Sequence, residues 1–186
     1  MTTEQDEMLR FPIGSDHFWG FADLPEGTEY PYNGEDNPMT LICQFRLDEG
    51  LVSVFADLEY FFGDLDADGG HIGQWDEHLY KVIYSPSCTD LHQHKIINTD
   101  GSYGVPHPVA PDQMPKDNES KILGTFSCFE DEVTQDYPGY RALVQLDEDD
   151  QIDLRFYDCG CLYFLIRPED LEKRDFSKVV CALYSY

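Results

Sequence analysis

The sequence predicts an α+β protein, predominantly antiparallel β with a few short helices, arranged as a two-fold internal repeat. Three observations lead there. Tyr and Phe, 12 of each, suit pleated, half-buried backbone. Apolar or alternating runs of strand length are separated by Gly, Pro and Asp clusters. Segments of the first half also return, in the same order, in the second.

The 186 residues are 41% hydrophobic, and a chain of this size buries roughly 70% of its unfolded surface without a metal or disulfide staple. After a polar lead-in, His17–Pro38 is broken by Gly20, Pro25, Gly27, Pro31, Gly34 and Pro38, which exclude a helix. It reads as an extended loop anchored by its aromatic residues. Met39–Leu47 is a strand, with Leu41, Cys43 and Phe45 on one face and Ile42, Gln44 and Arg46 on the other. A second strand is expected near Leu58–Phe62, while Leu51–Asp57 suits either a strand or a helical turn. Residues 63–78 are an acidic, glycine-rich loop, and Leu79–Tyr84 is a third strand. Residues 85–119 form a connector rich in Pro, His and Asp, with a short strand at Lys95–Ile97. In the second half, Tyr140–Leu146, Gln151–Tyr157, Cys161–Ile166 and Val179–Tyr184 read as strands. Pro168 opens a short helix with acids in its first turn, where the macrodipole favours them.

The repeat places half one at residues 17–84 and half two at 120–186 of a single domain. LICQFRLDE (Leu41–Glu49) matches ALVQLDEDD (Ala142–Asp150), aligning Gln44 with Gln145. LEYFF (Leu58–Phe62) matches CLYFL (Cys161–Leu165), YKVIYS matches VVCALYS, and Gly20 aligns with Gly124. The pattern suggests two copies related by a pseudo-two-fold axis. A glutamine inside an apolar strand requires hydrogen-bond partners, so Gln44 and Gln145 are expected to tie down neighbouring loops. Gly160 is assigned to the turn before Cys161.

The net charge of −25 argues against nucleic acid and an anionic membrane surface. It suits a basic protein as partner. No run of 18 apolar residues is present, so no spanning helix is expected. The N-terminal residues lack a secretory pattern, which with the unpaired cysteines points to the cytoplasm.

No motif names a reaction, so no catalytic residue, cofactor or metal is assigned. Asp64, Asp66, Asp68 and Gly69 fit the opening of a calcium loop. The pattern then fails at His71 and at Trp75, where a bidentate Glu belongs. His92 and His94 share a strand face without further ligands at matching spacing. Nothing around Cys88 activates a thiolate. Asp147, Glu148, Asp149 and Asp150 are four consecutive acids at a strand end. They read as a solvated turn or as a docking patch, with Asp64, Asp66 and Asp68 as the matching loop of the other half.

Several of these blocks resemble the YwqG family of bacterial proteins. The carriers are Gly20 with DLPEGTEYPYNGEDNPMTLICQFRL, then LEYFF, the acidic loop and YKVIYS, and finally SKILG with ALVQLDEDDQIDLRFYDCGCLYFLIRPEDLEKRDFSKV. The family's double glycine is Trp19-Gly20 here, and its glycine before the turn aspartate is Tyr157. The resemblance implies an intracellular α+β protein with no established activity. Because members are often encoded near toxin systems, it also implies an interaction or immunity role against a basic toxin. The other expectation is an enzyme or small-molecule binder with a cleft between the halves.

Overall fold

The computed structural model describes residues 11–67 and 70–186. These form mostly antiparallel sheets with a few short helices, as the strand-length apolar runs require. The chain divides into two compact units, each discontinuous in sequence. Unit 1 takes in the described residues of Met1–Ala56 together with Lys81–Gln113, and unit 2 those of Asp57–Tyr80 and Met114–Tyr186.

In unit 1, β1 (His17–Phe18) and β2 (Ala22–Pro25) precede β3 (Thr40–Arg46) and β4 (Leu51–Ala56). Two short strands therefore lie in the segment read as a loop. Glycine turns separate them, and β2 finds its partner far along the chain. After β5 (Gly73–Gln74) of unit 2 come β6 (Tyr80–Ser85) and β7 (Leu91–His94). One sheet has the order β1-β3-β4-β6, and β2 pairs with β7. Much of the connector thus packs as part of this unit: β7 holds β2, and Val109 bridges Phe18. The connector's strand is Leu91–His94, not Lys95–Ile97. Strand β4 settles the ambiguous Leu51–Asp57 stretch as strand up to Ala56, and all six of its residues are buried. Ala22, Leu24, Met39, Leu41 and Phe55 form an apolar cluster with Tyr30 and Ile83 against it.

The strand expected near Leu58–Phe62 is instead a 3-10 turn at Tyr60–Phe62. The Leu58 carbonyl accepts from Phe61 and Phe62, and Gly63 ends the turn at φ 105°. Tyr60 and Tyr163 therefore stand in different structures, so that block of the sequence match has no structural counterpart.

Unit 2 is built on a five-stranded sheet that includes β8 (Lys121–Gly124), β9 (Arg141–Asp147), β10 (Cys161–Ile166) and β11 (Val180–Tyr184). Its order is β5-β11-β10-β9-β8. Central β10 is buried throughout, as its continuous apolar run requires. Helix α1 (Glu130–Asp136) carries three acids in its first turn, and Pro168 occupies the start of α2 (Pro168–Glu172). Trp75 is buried, stacks on Phe61 and donates its backbone N–H to Cys181 O.

Gln151–Tyr157 is not a strand. Asp153, Tyr157 and Cys159 all take φ between 55° and 61°, which interrupts extended backbone. The Phe156 and Gly160 N–H groups donate to Glu148 Oε1 at 2.9 and 3.2 Å rather than to a ladder. Leu154 and Phe156 are still fully buried, so the apolar periodicity reported burial without reporting a strand. At Gly160 a Cβ would lie 2.1 Å from Phe156 O, so the turn admits only glycine.

Both units use a glutamine in the same way. Gln44 Oε1 accepts from Asp23 N (3.0 Å), while Nε2 donates to Asp23 Oδ2 (2.7 Å) and Ser15 O (2.9 Å). Gln145 Oε1 accepts from Ser127 N (3.1 Å), while Nε2 donates to Ser127 Oγ (2.6 Å) and Glu119 O (3.0 Å). Each glutamine is fully buried and follows an irregularity in its strand, between Leu41 and Cys43 in β3 and opposite Phe164/Leu165 in β9.

Candidate functional site

The turn after β9 forms one wall of a cavity of about 590 Å³ in unit 2. The loop around Glu119 and the Ser127–Phe129 segment before α1 supply the rest, together with Cys159 and Tyr186. Asp117, Glu119 and the four acids Asp147–Asp150 line it, and no Lys or Arg does.

The four turn acids are individually tied to the backbone or to a cation. Asp147 accepts from Glu119 N and Glu148 N, both at 2.9 Å, through different oxygens. Burial pushes its carboxyl above the usual range despite those donors. Glu148 carries the Phe156 and Gly160 N–H groups. Asp149 is buried and caps Gln151 N at 2.9 Å, and Asp150 meets Arg155 at 2.5 Å. The turn is therefore a hydrogen-bonded scaffold as well as an acidic surface.

At the thiol side of the cavity, Cys128 Sγ lies 3.5 Å from Glu119 Oε2 and 3.7 Å from Gln145 Nε2. A hydrogen bond from the Cys161 thiol draws the Cys128 pKa below its ordinary value. Cys161 itself is buried on β10, and burial pushes its thiol well up. Tyr163 Oη accepts from Cys128 N at 3.2 Å and donates to Cys128 O, fixing the segment that carries the thiol. The Ser127 hydroxyl holds the Glu119 carboxyl below its usual range.

Asp64 and Asp66 are exposed, and Asp66 N donates to Asp64 Oδ1 at 3.1 Å. Neither lines the acidic cavity; Asp68 and Gly69 lie outside the described residues. Among the described residues no group of three or more His, Cys, Asp or Glu is placed to hold a metal ion. Gly20, at φ 80°, is held against Pro108, where a Cβ would come within 2.8 Å. Gly124 has only an ordinary contact with Lys121. Sequence reasoning passed over Glu119 and Cys128. Carrying the Gly20–Gly124 alignment a few residues further pairs Asp23 with Ser127, and Cys128 follows directly.

No helix among the described residues is long and apolar enough to cross a membrane. No curated protein matches the chain. The model of a domain of unknown function, DUF1963, matches residues 74–184. That stretch spans more than half of the chain and holds β9, β10, the acidic turn and the thiols, so the protein belongs to the DUF1963 family.

Proposed function

We propose that this protein is a YwqG-like, non-enzymatic interaction module of the bacterial cytoplasm, whose unit 2 receives cationic side chains of a basic partner, as an immunity protein receives a toxin. The supporting observation is the cavity wall: six carboxylates line it without a lysine or arginine. In a chain of net charge −25, such a wall attracts cations and steers their approach. Phe129 and Tyr186, whose ring centroids are 4.9 Å apart, add aromatic surface suited to a guanidinium. The two halves are read as copies of one unit, which the shared glutamine bonding pattern supports.

Calorimetric titration with an arginine-rich peptide tests the reading. Affinity should fall as salt rises. Asp117→Asn and Asp150→Asn should each weaken it by about threefold, the scale of an exposed ion pair. Salt-independent binding, or binding unaffected by both substitutions, would overturn it.

A further inference from the structure

The strands that flank the two buried glutamines take the same register. In unit 1, His17 stands opposite Gln44 and Phe18 opposite Cys43. In unit 2, Lys121 stands opposite Gln145 and Ile122 opposite Val144. The residue that follows is left-handed in both, Trp19 at φ 58° and Leu123 at φ 49°, and Gly20 or Gly124 comes next. Phe18 and Ile122 therefore occupy equivalent positions on β1 and β8.

The outer sides of these two edges differ. In unit 1, residues 106–109 run antiparallel along β1 as an added strap. Phe18 N–H donates to Val109 O and Val109 N–H to Phe18 O, both at 2.9 Å, and Gly20 N–H donates to Pro106 O at 2.9 Å. Phe18 and Trp19 are fully buried there, and Gly20 lies against Pro108. In unit 2, β8 ends its sheet and pairs with β9 alone among the described residues. Ile122 is half-buried, Leu123 is 40% exposed, and Gly124 has only Lys121 beside it. By the shared register, the Ile122 N–H and C=O and the Gly124 N–H face away from β9, as those of Phe18 and Gly20 face the strap.

We propose that the outer edge of β8 takes up an extended segment of a basic protein as an added antiparallel strand, in the place that residues 106–109 fill on β1. Main-chain hydrogen bonds supply the docking, while the partner's charge rests on the function proposed above. The strap also sets a direction. An antiparallel segment passes Gly124 before Ile122 and then points toward the residues that precede β8. Among these are Asp117 and Glu119, two carboxylates of the cavity wall. The segment thus presents an apolar residue to Ile122 and places the lysines or arginines that follow it beside those acids. A second copy of this chain is the poorer occupant, because Lys121 on the edge and a net charge of −25 both oppose pairing of like with like.

Titration calorimetry on the intact protein compares two probes: an oligoarginine peptide, and the same peptide preceded by residues 105–109 of this chain, VPHPV. The second should bind about tenfold more tightly, the scale of two added main-chain hydrogen bonds. It should also slow hydrogen exchange at the Ile122 and Gly124 amides. Methylating the backbone nitrogen of its last valine should remove the gain and leave the salt-dependent binding of the arginines. Ile122→Pro, which deletes an outward donor and spares the ladder to β9, should do the same; the methylated peptide decides the matter should that variant not fold. Equal affinity of the two probes, or unprotected amides under the second, would overturn strand addition and leave the cavity as a cation site. Amide protection without salt dependence would instead overturn the cationic reading of the cavity, and with it the partner's charge. Protection of both amides in the protein alone would assign the edge to this chain itself and overturn the proposal.

Discussion

Gln44 and Gln145 make the same hydrogen bonds in two different units. Each amide oxygen takes the backbone N–H of one loop residue, Asp23 or Ser127, and each amide nitrogen returns to that residue's own side chain. The second donor bond goes to a carbonyl the same distance upstream, at Ser15 or Glu119. One side chain thereby closes two points of a loop onto a strand. Replacing either by leucine leaves buried polar groups unpaired, at a cost of about 1–3 kcal/mol each. Gln44→Leu should cost more than Gln145→Leu, because it strips a donor from a buried carboxylate whose Oδ1 already has no partner among the described residues. Urea midpoints at constant m-value read the order; equal or negligible losses would contradict it.

The two aligned glycines should respond differently to alanine. Gly20→Ala meets both a left-handed backbone and Pro108, and should lose about 1–3 kcal/mol. Gly124→Ala meets only an ordinary contact and should stay within about 0.5 kcal/mol of the parent. Gly160→Ala should be the most damaging of the three, since Phe156 O occupies the space. Thermal melts of the three variants side by side would show whether this ranking holds.

His17 should make the protein sensitive to mild acid. Its ring is buried, and Nδ1 lies 2.6 Å from Trp19 O. Desolvation depresses its pKa below 6.5, against the raising effects of its backbone bonds and of Asp23 and Asp16. The unfolded chain therefore binds this proton more readily than the folded one. Stability is lost as the pH falls from about 6.5 through the lower folded value. His17→Gln should flatten the dependence of the urea midpoint on pH in that window. An unchanged slope would remove His17 as the cause.

Tyr163→Phe removes the hydroxyl that brackets the Cys128 peptide. A loss of about 1–2 kcal/mol is expected from a buried hydroxyl with two partners. Alkylation of Cys128 should also quicken as its segment loosens, while Cys88 keeps its rate. Unchanged Cys128 kinetics would mean that the apolar packing alone holds the segment.

Much of the sheet was legible because burial writes itself into composition. Cys161–Ile166 is apolar at every position and became a strand with those same ends. Pro168 with its following acids marked a helix start correctly. The failures share a cause. Gln151–Tyr157 and Leu58–Phe62 carry strand-like periodicity, but their backbone N–H groups go to a carboxylate and to local carbonyls. Periodicity reports which side chains are buried and is silent on where backbone donors go. Of the site, the acidic turn was visible as four adjacent carboxylates. Its intramolecular bonding was not, since the partners at Phe156, Gly160 and Arg155 follow from left-handed turns that side-chain type did not announce. Cys128 was hidden for a different reason: its neighbours Glu119, Gln145 and Cys161 meet it only through tertiary contact.

The discontinuity of the two units has a bearing on how the chain matures on the ribosome. Asp57–Tyr80 belongs with Met114–Tyr186, and β5 hydrogen-bonds β11. The Trp75 backbone N–H therefore waits for the Cys181 carbonyl, and Tyr80 Oη for Val179 O, until almost all of the described chain has been synthesised. Translation proceeds at about 5–20 residues per second, so the segment spends several seconds outside its sheet with an unburied tryptophan. The aspartates Asp64 and Asp66 lie in this waiting segment, where like charge opposes self-association of exposed chain.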